Sequence, residues 1–172
     1  MPSTRYAGLS REKVLAAALE LADRDGLDRL SIRGVASALG VTPMALSRHV
    51  PSKDALVDGL GDLALAGLDL PDGSGDWRDE LRTTARSLNA ILNAHPAARE
   101  VFRSRPLSTP EAVKTTDAML ALLRGAGFPP EEAARRYGQV ARILVALVSP
   151  DEDAFESGVD LLVGGLERLL ER

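Results

Sequence analysis

The 172 residues are 45% hydrophobic but only 3% aromatic, so they can fill a true core built from Leu, Val and Ala, a composition that favours helices. With no cysteine, disulfides, thiol chemistry and cysteine-based zinc fingers are excluded, and no run approaches the roughly 20 apolar residues that span a bilayer. The net charge of −4 is unevenly spread: residues 1 to 60 carry eight Lys and Arg against seven Asp and Glu, residues 61 to 172 thirteen against eighteen. An acidic body that stays away from a polyanion is compatible with a small head that touches one.

The opening Met1-Pro2-Ser3-Thr4-Arg5-Tyr6 leads into a charged helix rather than a secretory signal, and the expected compartment is the cytoplasm. Residues 10 to 25 read as a helix, with Ser10 as its cap and Val14, Leu15, Ala18, Leu19 and Ala22 on one stripe. Asp25-Gly26 ends it, and Leu27 and Leu30 fold back over the same core.

From Leu30 to Val50 the pattern is two short helices joined by a tight turn. Val35, Ala36 and Leu39 share one side of the first, Gly40 supplies the turn, and Val41 plugs the angle between the two. Thr42 caps the second and Pro43 is its first residue, because Thr accepts a free backbone N–H and Pro lacks one. Leu46 and Val50 point back to the core, which leaves Thr42, Pro43, Met44, Ser47, Arg48 and His49 to divide between a DNA groove and its rim. Arg33 could fork onto guanine O6 and N7, and Lys53 stands at the start of the next helix, where backbone N–H groups and an ammonium both favour phosphate.

Residues 1–52 are therefore expected to form a three-helix DNA-binding head with a helix-turn-helix, and 53–67 a linking helix capped by Ser52. After an exposed connector over 68 to 75, residues 68–172 form a helical body with no strand. Its long helices are expected from about Asp76 to Ala94, with Trp77, Leu81, Leu88, Ile91 and Leu92 inward, and from about 110 to 124, carrying Val113, Met119, Leu120 and Leu123. Two more run from Pro129 to Val148, carrying Val140 and Leu144, and from 151 to 171, with short helical material over 97 to 103 between the first two. Nine helices in all are expected. Continuous apolar stripes on the last pair, with Gly158, Gly164 and Gly165, predict a homodimer through residues of about 129–171, while the same stripes could instead seal a monomer.

His49 and His95 stand a whole domain apart and supply no metal-ligand cluster, and no cofactor motif is present. A glycine-rich phosphate loop, a carboxylate pair and a nucleophile with its base are all missing, so an enzyme is not expected.

The run Leu39-Gly40-Val41-Thr42-Pro43-Met44-Ala45-Leu46-Ser47-Arg48-His49-Val50-Pro51-Ser52-Lys53-Asp54-Ala55-Leu56, preceded by Ala17-Ala18-Leu19-Glu20-Leu21 and Gly26, resembles the TetR family of bacterial repressors. Asp76-Trp77-Arg78-Asp79-Glu80-Leu81 through His95-Pro96, and Gly125-Ala126-Gly127-Phe128-Pro129-Pro130-Glu131-Glu132-Ala133, look like the branch named for the tetracycline repressor. The resemblance implies an all-α protein that reads a palindromic double-stranded operator as a homodimer and is released by a small molecule held in the body. It implies base contact by Arg33, by Thr42, Pro43 and Met44, phosphate contact by Lys53, and a place for His49 near the duplex. Ser47 stands where the family usually has Tyr, and the segment near 149–151 is short for the family.

Helix phase and the resemblance together give a wall for a small, largely apolar effector: Trp77, Leu81, Leu88, Met119, Val140 and Leu144, with His95 or Arg103 as polar anchors. The alternatives are a repressor without a small-molecule effector and a helical interaction protein. A sealed apolar cavity between helices 76 to 94, 110 to 124 and 129 to 148 would favour the inducible switch, a solid core there the effector-independent one.

Overall fold

The computed structural model describes residues 9–171, and the opening segment Met1 to Tyr6 lies outside them. Among the described residues there are nine α-helices and one 3₁₀ turn. They are α1 (Arg11–Asp25), α2 (Ile32–Ala38), α3 (Pro43–Ser47), α4 (Lys53–Ala66), α5 (Trp77–Ala94), α6 (Pro96–Ser104), α7 (Pro110–Gly125), α8 (Pro130–Leu147) and α9 (Glu152–Leu170), with the turn at Leu27–Arg29. No strand occurs among them, as the aromatic-poor composition predicts.

The boundaries follow local chemistry. Ser10, Ser31, Thr109 and Asp151 each accept a backbone N–H three residues on, opening α1, α2, α7 and α9. Gly26 and Gly127 end α1 and α7 at φ of 88° and 115°, where a side chain would be strained. Pro96, Pro110 and Pro130 start helices at the position where a missing N–H costs nothing.

The chain divides into two compact units. One contains the described residues up to Leu63 together with His95–Leu107, the other Ala64–Ala94 with the described residues from Ser108 onward. In the first, the head, Val14, Leu15, Leu30, Val35, Leu46, Val50, Leu56 and Leu60 form one buried cluster. Gly59 lets α4 lie against α1, since a Cβ there would stand 2.2 Å from Leu15 Cδ2.

The first unit thus runs past the expected boundary at 52 and takes in part of 68–172. Ala97 and Val101 of α6 belong to the head cluster, and Leu107 packs against it. Asp23 of α1 reaches α6, its Oδ1 accepting the Ala97 N–H at 2.9 Å and its Oδ2 standing 2.8 Å from His95 Nδ1. Arg105 donates to Asp58 Oδ1 at 2.6 Å and to the Asp54 carbonyl at 3.0 Å, fastening the end of α6 to α4. An apolar stripe specifies that α6 is buried, not which core receives it.

In the second unit α7 packs on α8, and α5 on α7, α8 and α9. Arg82 and Arg86 of α5 pair with Asp160 and Glu156 of α9 at 3.0 and 2.6 Å, and Arg78 pairs with Glu167. The short α8–α9 connection is pinned by the Ser149 N–H donating to Asn89 Oδ1 and by Asn93 Nδ2 donating to the Ser149 carbonyl. Leu147 fills the space that a side chain at Gly158 would need, whereas Gly164 and Gly165 face open space. On α7 the stripe that faces inward is Thr115, Met119, Leu122 and Leu123, and Val113 is 57% exposed.

Candidate nucleic-acid interface

Every backbone device predicted for the turn between α2 and α3 is present. Gly40 adopts φ of 65°, the Val41 N–H donates to the Ala36 carbonyl at 3.0 Å, and Thr42 Oγ1 accepts the Ala45 N–H at 3.2 Å ahead of Pro43. Leu46 and Val50 are buried, which fixes the opposite side of α3 outward. Thr42, Pro43, Met44, Ser47 and Arg48 are exposed there, and His49 is half-buried. α3 itself is short, ending at Ser47, with Arg48 and His49 in the turn that follows.

The outward side is polar and cationic with one large apolar exception. Arg33 on α2 and Arg48 form no hydrogen bond or ion pair with any described residue. Among the described residues no carboxylate neutralises these two guanidinium groups, the state in which they can meet a phosphate or a guanine edge. Lys53 Nζ donates to the Asp28 carbonyl at 2.9 Å, tying the start of α4 to the 3₁₀ turn and leaving its other protons to solvent. Met44 is 75% exposed, and Ser47 Oγ turns back to donate to the Met44 carbonyl at 3.0 Å. A cleft of about 310 Å³ between Leu9, Thr42, Met44, Ala45, Arg48 and His49 marks this face.

The residues expected around an effector are distributed over both units. Leu81, Leu88, Met119, Val140 and Leu144 are buried on α5, α7 and α8 of the second unit. Trp77 is half-buried, with Arg78 over its ring at 4.8 Å, and lines an open cleft of about 360 Å³ with Pro71, Asp76, Ala118, Ala121 and Leu122. No other residue of the expected wall lines that cleft. His95 and Arg103 lie with α6 in the head, His95 beside Asp23 and Arg103 exposed. Thr115, which helix phase does not single out, is buried with its hydroxyl unpartnered, one turn before Met119. Asp23 is equally silent in the sequence, since no spacing rule pairs it with a histidine 72 positions away. Among the described residues no group of His, Cys, Asp and Glu could hold a metal, and no helix is long and apolar enough to cross a membrane.

Comparison with known proteins gives this geometry its relatives. Residues 14–60 match the family model for bacterial regulatory proteins of the tetR family, and residues 70–148 the tetracyclin repressor-like C-terminal domain. An HTH-type transcriptional regulator of Saccharopolyspora erythraea is 33% identical over 83% of this chain, which spans 61% of that relative's length, less than two thirds. Tetracycline repressor protein class A from transposon 1721 of Escherichia coli is 32% identical over 87% of this chain and 72% of its own. A single-residue variant of TetR from Acinetobacter baumannii AYE, in complex with minocycline, superposes with a TM-score of 0.80 at 30% identity, covering 94% of this chain and 98% of that one. BioQ with its natural double-stranded DNA operator gives a TM-score of 0.73 at 27% identity over 94% and 99%. With both its helix-turn-helix and its C-terminal helices matched, the chain belongs to the TetR family of bacterial transcriptional regulators, a family of regulators rather than enzymes.

Proposed function

We propose that this protein is a transcriptional repressor that binds a palindromic operator as a homodimer and is released by a small, largely apolar molecule. The observation that carries the DNA reading is the outward side of the helix-turn-helix, where Arg33 and Arg48 have no partner among the described residues beside a capped, proline-led helix. α3 enters the major groove, Thr42, Pro43, Met44, Ser47 and Arg48 face base edges and rim, His49 lies near the duplex, and Lys53 meets phosphate. Pairing of two copies through residues of about 129–171 sets two such helices about 34 to 36 Å apart, one turn of DNA. Ile143 at 42% exposure and Leu161 at 71%, with Gly164 and Gly165 open, support that face as the one a second copy covers.

Release requires the effector to bind the DNA-incompetent state more tightly. The support is the minocycline complex of the Acinetobacter protein and the buried, unpartnered Thr115 hydroxyl beside Met119, a polar point in an otherwise apolar wall. The burial of Leu81, Leu88, Met119, Val140 and Leu144 favours a second reading, a repressor without a small effector. Selection from randomised duplexes, followed by titration with rising salt, tests the first proposal. A palindromic consensus bound by a dimer, with affinity falling steeply with salt, is expected. A monomer at micromolar concentration, or binding without sequence preference, overturns it. Ligands that stabilise the protein and also release the selected operator sustain the switch, and stabilisation with unchanged DNA affinity supports the second reading.

A further inference from the structure

We infer that Met44 reads the 5-methyl group of thymine at one step of each operator half-site, an inference that rests on α3 docking in the major groove. Met44 is the one large apolar side chain exposed among the described residues of α3, while Leu46 of the same helix is fully buried. Its surroundings are Thr42, Ala45, Arg48 and His49 along a cleft of about 310 Å³, so no described side chain shields it.

The chemistry narrows what can cover it. A thioether donates nothing and accepts weakly, so Met44 gains nothing from the amino groups, carbonyl oxygens or N7 atoms that line most of the groove. Seated over one of those, it leaves a buried polar group without its water, which costs affinity. Of the four bases, thymine alone presents an apolar group to the major groove. Three rotatable bonds and a polarisable sulfur let Met44 close on that methyl without moving α3.

Ser47 does not compete for the step. Its hydroxyl proton is donated to the Met44 carbonyl at 3.0 Å, which leaves it no donor for a base edge. The hydrogen-bonding share of the reading falls to the unpaired guanidinium groups, and Met44 adds a preference that no donor or acceptor pattern carries.

The test uses the full chain and its selected operator. Each thymine is replaced in turn by deoxyuridine, which removes the methyl and keeps the Watson–Crick edge, and affinity is measured by fluorescence anisotropy for the natural protein, Met44→Ala and Met44→Leu. The natural protein should lose about fourfold at one thymine per half-site, the effect of unburying one methyl-sized group, and about the square of that when both half-sites are changed. Met44→Ala should bind the thymine and uracil duplexes alike, and Met44→Leu should retain the discrimination. Because Met44 is exposed, its replacement should leave thermal unfolding unchanged, so a lost preference cannot come from misfolding. Equal binding of every uracil duplex by the natural protein, or an undiminished penalty in Met44→Ala, overturns the inference while leaving DNA binding intact. Failure to bind any duplex overturns the DNA reading itself.

Discussion

The outward side of the helix-turn-helix and the side of α5 that faces α9 treat their arginines in opposite ways. On α5, Arg78, Arg82 and Arg86 each find a carboxylate on α9, and those pairs tie two helices of the same unit together. On the outward side of the helix-turn-helix, Arg33 and Arg48 have no partner among the described residues. Exposed ion pairs contribute little to stability, so the α5 pairs mainly specify register. An unpaired guanidinium adds no ion pair to the fold and keeps its full donor set for a ligand. What distinguishes the two regions is therefore not how much positive charge they carry but whether the fold has already used it.

The comparison can be broken most sharply at the core. Leu46→Ala should cost about 2 to 5 kcal/mol in denaturant unfolding, since a fully buried Leu leaves a cavity beneath α3. Hydrogen exchange should then show amides of α6 losing protection along with those of α1, and α7 to α9 keeping theirs. Loss confined to α1 through α4 would return α6 to the body.

Next in size is the division of labour among the head's cations. Arg33→Ala should lower affinity for the selected operator by about 1 to 3 kcal/mol and relax its sequence preference, while Lys53→Ala should weaken operator and unrelated DNA evenly and reduce the salt dependence. Equal losses on every sequence from both variants would remove Arg33 from base reading.

Smaller again is the reach of Asp23 to α6. Asp23→Ala removes an acceptor from the Ala97 N–H and should cost about 0.5 to 2 kcal/mol, as loss of a helix cap does, measured by thermal unfolding. No change would mean that α6 is held by Ala97, Val101 and Arg105 alone.

The smallest effect is expected in acid, from the second unit. The Arg86 hydrogen bond holds the Glu156 carboxyl below its ordinary 4.5. The folded state thus binds its proton less readily than the unfolded state, and the stabilisation is complete above pH 4.5 and lost as pH falls through the lowered value. Arg86→Gln should flatten the acid side of the stability profile by a small margin, as exposed pairs do. An unchanged profile would show that this pair adds nothing in solution.

How much of this was legible in the sequence depended on distance along the chain. The cap at Thr42, the proline after it, the glycine turn and the inward Leu46 and Val50 are decided within a few residues, so the backbone geometry of the helix-turn-helix could be read from the sequence. The expected effector set was less legible. Phase placed Leu81, Leu88, Met119, Val140 and Leu144 inward, and they are buried, but phase cannot distinguish a residue that lines a space from one that fills it. Within α7 an apolar residue near the start, Val113, sits on the solvent side.

The sequence by itself determined the helices, their caps and breaks and the cationic side of the helix-turn-helix. These follow from backbone chemistry and 3.6-residue periodicity, both local. Only the tertiary structure decided that α6 joins the head rather than the helices before and after it, that Asp23 and Arg105 hold it there, and that Arg33 and Arg48 find no partner among the described residues. Those outcomes depend on which of several similar apolar faces meet and on carboxylates brought close from far along the chain, and the periodicity of a single helix contains no record of its partner.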